Sequence, residues 1–425
     1  MLSSIDTENI VLKDNIINRI YLFLFQSLLF LMLVIPRTGE LIKIVLIVCM
    51  VFLVLIDLVI SKEILINKKI LTFISIYLTY AILASFVGLI RNNPGAYGFI
   101  KVNILYPIIL TLFVLYVRRF YQYEKLLRII LIASNVISIY SILLFLVNIG
   151  YWPEALFIDF DVTSNVGIHD GYVHLTNTNL SMLIFSAPLC TYLIIKNYNS
   201  LVISKRFLLL TELLLIVASL LSGRRILWIA ILIPIMLLVI NKLLKFSLKN
   251  LLLIVFSLIL LILIFNILQE HGYLSIDGII ERFNGAFKYN EENVRFEQAI
   301  ALWEGFKSYP ILGSGAGVGV ENFVRSNSAP WNYELSYNLI LYNSGLIGFI
   351  LYATCHIYLL FMLWNRSRKS KDVIAGALFL SYVIVLFANA TNPYFSSSFD
   401  FLWFIFIPLM YINISSVYIN NKGIK

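Results

Sequence analysis

Two arginines in succession, in Ser222-Gly223-Arg224-Arg225, separate two apolar runs with almost no loop between them. A guanidinium is a planar fork of donors that matches phosphate bidentately, so this pair at a membrane boundary suits the grip of a lipid-linked pyrophosphate. Snorkelling of cationic side chains at a helix end is the ordinary alternative. A further arginine, Arg295, follows Asn290-Glu291-Glu292-Asn293-Val294. There Asn290 can cap a helix, and the acids fall in its first turn, where the helix dipole favours them. Phe296, Ile300 and Trp303 recur at i, i+4 and i+7. They predict one face, packed in the core or at the membrane interface. Arg295 lies off that face, where it could reach a phosphate.

Pro310-Ile311-Leu312-Gly313-Ser314-Gly315-Ala316-Gly317-Val318-Gly319 superficially resembles a dinucleotide fingerprint. No βαβ unit surrounds it, and no Lys-Ser or Lys-Thr makes it a phosphate loop. Two readings stay open: backbone amides at Gly313 and Gly315 approaching a substrate, or a packed turn. Glu334-Leu335-Ser336-Tyr337-Asn338 then opens an apolar run. Glu334 could be a general base if burial raised its pKa, or a solvated acid at a helix start. Asn338 is a candidate substrate contact beside it. Gly345 and Gly348 have the small-residue spacing that allows close helix contact.

The remaining polar residues are less telling. His169 and His174 share a segment with Asp159, Asp161 and Asp170, but the spacing matches no standard zinc pattern, and no metal is expected. His356 is expected to be packed inside a span. Asp57 and Glu212 lie within apolar runs, where a carboxylate suggests ion coupling by default. Each is near basic residues at the inner end, and snorkelling is the expectation for both. Asp400 is placed near the outer face, where it could hold an outer arginine. The segment 151–176, rich in aromatics and Asp, is a candidate glycan contact.

The elements that must position these groups follow from composition. Of 425 residues, 60% are hydrophobic and 13% charged, and mean hydropathy is +0.90. A soluble domain carries roughly a quarter charged residues, so this chain needs a bilayer as solvent. A span takes about 20 apolar residues. Runs near 18–36, 41–60, 70–90, 98–117, 127–150, 177–195, 206–222, 225–241, 250–268, 335–362, 373–391 and 398–418 predict an all-α, polytopic bundle of about twelve spans. It forms one integral membrane domain, 1–425, with one large external loop at about 269–334 that contains short helices. With the N-terminus inside, 21 of the 32 Lys and Arg residues fall on the cytoplasmic side, as the positive-inside rule requires. Both termini are then expected to be cytoplasmic, with Arg91, Arg224, Arg225 and Arg295 outside, where Arg91 and Arg225 are further candidates for binding the pyrophosphate or glycan. The first span is expected to be an uncleaved anchor. Cys49, Cys190 and Cys355 sit in apolar runs and offer no disulfide framework.

The order of these motifs resembles the O-antigen polymerase and O-antigen ligase superfamily (Wzy-like proteins). An Arg follows Ser at the outer end of a mid-chain span. Arg295, Trp303, Pro310 and Leu-Gly-Ser-Gly-Ala-Gly come next, and a polar site then precedes Gly-Leu-Ile-Gly at Gly345–Gly348. The clear match covers about 222–350. The resemblance implies a membrane-embedded glycosyltransferase that is independent of metal and cofactor. It would work in the bacterial plasma (inner) membrane on a glycan carried by undecaprenyl pyrophosphate. Polymerases pass the growing glycan to the next lipid-linked repeat unit of an O-antigen, capsule or exopolysaccharide; ligases pass the finished chain to lipid A-core. Arg224 or Arg225, with Arg295, would bind the pyrophosphate. A chain-length-regulating membrane protein is a further implied partner, and nucleic acid is not. Ligases of the family tend to have a His-Asn pair where Glu334 aligns, which favours a polymerase. The alternatives are an O-antigen ligase and a lipid-linked oligosaccharide flippase, a transporter that needs polar cavities along several spans.

Overall fold

A computed structural model describes residues 16–61, 67–117, 120–160, 164–169, 172–242, 266, 269 and 294–422. The chain is a bundle of apolar helices. In order these are α1 (Ile16–Val34), α2 (Glu40–Ser61), α3 (Lys68–Ile90), α4 (Ala96–Tyr116), α5 (Phe120–Asn148), α6 (Thr178–Ile195), α7 (Lys205–Leu221) and α8 (Arg225–Lys242). After the surface helix α9 (Val294–Ser308) come α10 (Ser336–Lys369), α11 (Val373–Asn389) and α12 (Trp403–Lys422). Six of them, α1, α3, α4, α5, α6 and α10, are long and apolar enough to cross a membrane, and shorter apolar helices lie at 225–234, 373–389 and 403–414. The chain is thus a multi-pass membrane protein. The figure of about twelve spans goes beyond these six, and the span expected at 250–268 lies almost wholly outside the described residues.

Helix starts follow ordinary capping chemistry. The Asn67 side chain accepts from the Lys69 amide at 3.0 Å, Ser204 from Phe207 at 3.3 Å, and Asp372 from Ala375 at 3.2 Å. Each supplies a partner to an amide that the helix leaves over. The centre of the bundle is α6, predominantly apolar and mostly buried, packed against α7, α8 and α11. A largely apolar helix belongs in such an interior. Small hydroxyl residues on α5 permit close packing; Ser134 and Ser141 return their hydroxyls to the carbonyls of Ile130 and Ile137. The segment between α5 and α6 carries an antiparallel hairpin, β1 (Val166–His169) and β2 (Tyr172–Leu175), with Gly167 opposite His174.

One end of the bundle is tied by polar contacts between distant elements. Asp400, just before α12, accepts from Lys43 Nζ of α2 at 2.6 Å and from the Arg37 amide at 2.8 Å. The carboxylate expected to hold an outer arginine side chain thus holds a lysine and a backbone N–H. Glu212 also departs from expectation. It does not reach back to Lys205 and Arg206, but turns into the bundle and accepts from Thr191 of α6 at 2.7 Å. His356 is packed as expected, hydrogen-bonded through Nδ1 to Tyr382 and stacked on Phe395.

The glycine-rich stretch forms a wedge between α3 and α10. The amides of Ser314, Gly315 and Ala316 donate to Tyr342 O, Asn343 O and Ala84 O at 2.8–2.9 Å. Asn93 donates to the carbonyls of Ser314 and Ala316, both at 3.1 Å. Gly315 has φ +84°, and a Cβ there would overlap the backbone of Gly88. The dihedral and the close approach both require glycine. Of the two readings of this run, the packed turn is the one the geometry supports, since its amides already bond to protein carbonyls. Gly315→Ala should therefore lower the thermal unfolding midpoint of the detergent-purified chain sharply. Left-handed strain alone costs about 1–3 kcal/mol, with backbone overlap in addition. Gly167→Ala, which meets open space, should shift it little; equal shifts would contradict the wedge.

Candidate active site

The hairpin between α7 and α8 turns at Gly223, φ +61°, and delivers Arg224 to the tied end of the bundle. Its guanidinium donates to Ser181 Oγ and to Asn177 O, each at 2.7 Å. Ser222 steadies the turn, its hydroxyl accepting from the Arg224 amide at 3.1 Å and its carbonyl from the Leu175 amide at 3.2 Å. These contacts fix Arg224 against the start of α6 instead of leaving it to snorkel. Arg225, half-buried at the start of α8, takes no part in them.

Tyr394 lies in a single helical turn after α11. Burial holds its phenol above the ordinary value, against the opposing pull of Arg224, a hydrogen bond with Ser181, and the pull of Arg295 and Arg37. The phenol therefore stays protonated at neutral pH. Three arginines far apart in the sequence thus act electrostatically on one buried tyrosine. Arg37 itself has φ +63°, uncommon for a residue with a side chain, and lies over the Phe401 ring at 5.7 Å.

Arg295 stands at the start of α9, and its Nε donates to Glu334 Oε2 at 2.5 Å. The other oxygen of Glu334 accepts from Arg325 Nη2, also at 2.5 Å. Glu334 is thus gripped by two guanidiniums just before α10. Its position is set by Gln298, fully buried on α9, whose Oε1 accepts from the amides of Glu334 and Leu335 at 3.0 and 2.9 Å. Asn338 follows on the first turn of α10, half-buried.

The other sequence candidates are placed elsewhere. Arg91 supports the glycine wedge, donating to Gly313 O at 3.2 Å and lying 3.9 Å over the Tyr309 ring. Gly313 and Gly315 lie within the wedge. On α9 the face of Phe296, Ile300 and Trp303 is turned outward, 44–50% exposed. Core packing falls instead to Gln298, Leu302 and Phe306, which recur at i, i+4 and i+8. The outward aromatic face suits a membrane interface. In the segment 151–176, Asp159 accepts from Tyr140 and Ser164; Asp161 and Asp170 lie outside the described residues. No metal-type cluster occurs among the described residues.

Sequence reasoning passed over Arg37, Arg325, Tyr394, Ser181 and Gln298. The two arginines carried a signal, since both belong to the minority of basic residues on the outer side. The others acquire meaning only through contacts more than 30 residues away.

Arginine fixed by protein acceptors, beside arginines held by a carboxylate, can bind a dianionic group without reorganising. Stability should rest on Gln298 more than on Glu334. Gln298→Ala leaves two amides without their acceptor and should cost about 1–2 kcal/mol. Glu334→Gln, which breaks partly exposed pairs, should cost under about 1 kcal/mol. Thermal unfolding of the two variants checks the order, and the reverse order would contradict the capping role.

A search of the curated proteins finds no match to the chain. Residues 210–353, which hold Arg224, Arg295, Arg325, the glycine wedge and Glu334, match the family model described as O-Antigen ligase, a likeness over that stretch that is consistent with the O-antigen polymerase and ligase superfamily.

Proposed function

We propose that this protein polymerises lipid-linked oligosaccharide repeat units at the outer face of the bacterial plasma membrane. It would move the growing glycan from undecaprenyl pyrophosphate to the next lipid-linked repeat unit. At family level an O-antigen ligase or polymerase type of glycosyl transfer is supported. The observation that carries the finer reading is a set of held guanidiniums, Arg224 fixed on Ser181 and Asn177 and Arg295 on Glu334, both acting on buried Tyr394, at the end of the bundle that the charge pattern puts outside.

The chemistry is a substitution at the anomeric carbon. The acceptor hydroxyl oxygen forms the new bond, the bond to the pyrophosphate oxygen breaks, and that oxygen leaves with the electron pair. Negative charge grows on the leaving group, where fixed guanidiniums are worth most. The sugar–pyrophosphate bond is already activated, so no nucleotide is consumed. The hydroxyl must lose its proton, and Glu334 is the group at hand. In the resting arrangement both its oxygens hold guanidiniums. A pyrophosphate competes for the same donors, and once it draws Arg325 or Arg295 away, a Glu334 oxygen is open to accept the proton. Base and donor would in this way become ready together. Attack opposite the leaving group inverts the anomeric centre.

The ligase reading has one observation in its favour, the description of the matched family. Deleting the gene in its host and following surface-glycan length separates the readings. A ladder that collapses to one repeat unit on the normal acceptor supports the polymerase. Long chains stranded on the lipid carrier would mean a ligase, and repeats trapped inside a flippase. Complementation with Arg224→Ala or Arg295→Ala should restore protein in the membrane but not chain length. Arg224→Lys should be nearly as poor, because the fork geometry is lost. Chelator should not change chain growth. Normal ladders from either alanine variant would overturn the pyrophosphate role.

A further inference from the structure

A cavity of about 210 Å³ is lined in part by residues that neighbour Glu334 and Tyr394 in the chain. It is walled by α3, α4, α10, the turn after α11 and the tip of the glycine wedge, with Trp331, Asn332, Ser336, Asn343, Tyr352 and Phe395 among its lining. We propose that this cavity holds one uncharged sugar ring of the glycan. The proposal rests on the reading that the glycan's pyrophosphate is gripped at Arg224 and Arg295.

The lining has an unusual chemical balance. It contains no Lys, Arg, Asp, Glu or His, so a phosphate or an acidic sugar would be buried there without a counter-charge, which is strongly unfavourable. It is not a lipid slot either, since its polar groups want partners. Ser336 Oγ, Asn343 Oδ1 and Tyr352 Oη have no hydrogen-bond partner among the described residues, though these residues are only 3%, 5% and 4% exposed. Buried polar atoms are normally paired. The residues that carry these three atoms all line one space, where small side-chain adjustments would bring them to a ligand with several hydroxyls. A pyranose supplies those, and its C–H faces suit the rings of Trp331 and Phe395, in the mixture of apolar walls and few polar groups typical of small-molecule sites.

Two breaks in helix geometry make the space. Residues Lys101–Leu105 of α4 form a π-helical turn, a feature frequent at functional sites, and that turn contributes Val102 and Asn103 to the wall. Asn103 is already committed to Tyr77 and Phe99. On the facing helix, Gly345 leaves helical geometry with φ +62° and ψ −167°, two residues after Asn343. The cavity adjoins the charged site through the chain itself. Ser336 is two residues from Glu334, a reach of at most about 7 Å, and Phe395 and Ser396 directly follow Tyr394.

The test uses the full chain in detergent and saturation-transfer NMR with a panel of methyl glycosides. The panel comprises neutral hexopyranosides, N-acetylhexosaminides and the glucuronide. At least one neutral glycoside should bind saturably in the millimolar range, and the glucuronide should bind at least about tenfold more weakly. Ser336→Ala and Asn343→Leu should each weaken the neutral glycoside at least about tenfold. Ser336→Ala is the milder change and guards against a folding defect in the other, with unfolding midpoints measured for both. Absence of any neutral binder, equal binding of the glucuronide, or wild-type affinity in Ser336→Ala would overturn the proposal and leave the cavity a water-filled packing space. Binding of inorganic pyrophosphate to the wild type, measured in parallel, separates the two claims. Pyrophosphate without glycoside sinks the cavity alone; glycoside without pyrophosphate sinks the arginine site alone.

Discussion

The candidate site depends on a backbone constraint. The chain leaves α9, crosses the end of the bundle and starts α10, and it can do so at close quarters only because Gly313, Gly315 and Gly317 thread between α3 and α10 with left-handed dihedrals. Their neighbours' amides bond to carbonyls of both helices, so a segment that would otherwise bury unsatisfied backbone is fully accommodated. With that crossing fixed, Gln298 can cap the start of α10, and Glu334 then stands between Arg295 and Arg325. The glycine run serves the chemistry by positioning it.

Charge is arranged in two tiers. Arg224 is oriented by neutral oxygens of Ser181 and Asn177. Arg295 and Arg325 both pair with the Glu334 carboxylate. A buried ion pair, Lys43 with Asp400, joins α2 to the start of α12 nearby. Such pairs add little net stability over apolar packing but fix geometry when complete. A phosphate-bearing ligand thus meets donors whose positions are already determined, while the neighbouring neutral cavity offers hydroxyl partners and aromatic faces.

Much of this was legible in the sequence because it rests on local pattern. Apolar runs gave the helices, and the lack of any loop at Ser222–Arg225 placed Arg224 at the bundle end. The apolar run that opens after Glu334 put the acid at a helix start. What sequence could not supply was the direction of side chains whose partners are remote. The Phe296, Ile300 and Trp303 face is regular enough to read as packing, yet it turns outward, because Gln298 and Leu302 are drawn inward by the start of α10 and by the cluster of Val320, Tyr333 and Tyr342. Glu212 has basic residues within two turns, yet bonds across to Thr191. Tyr394 carries no motif, and the arginines that act on it are remote in the sequence.

The most direct test of the account is a cryo-electron microscopy structure of the full chain with an undecaprenyl-pyrophosphate-linked repeat unit. Pyrophosphate density is expected within hydrogen-bonding distance of Arg224 and Arg295, with at least one oxygen of Glu334 released from its arginine. Pyrophosphate density elsewhere on the bundle, with Arg295 and Arg325 both still on Glu334, would contradict it.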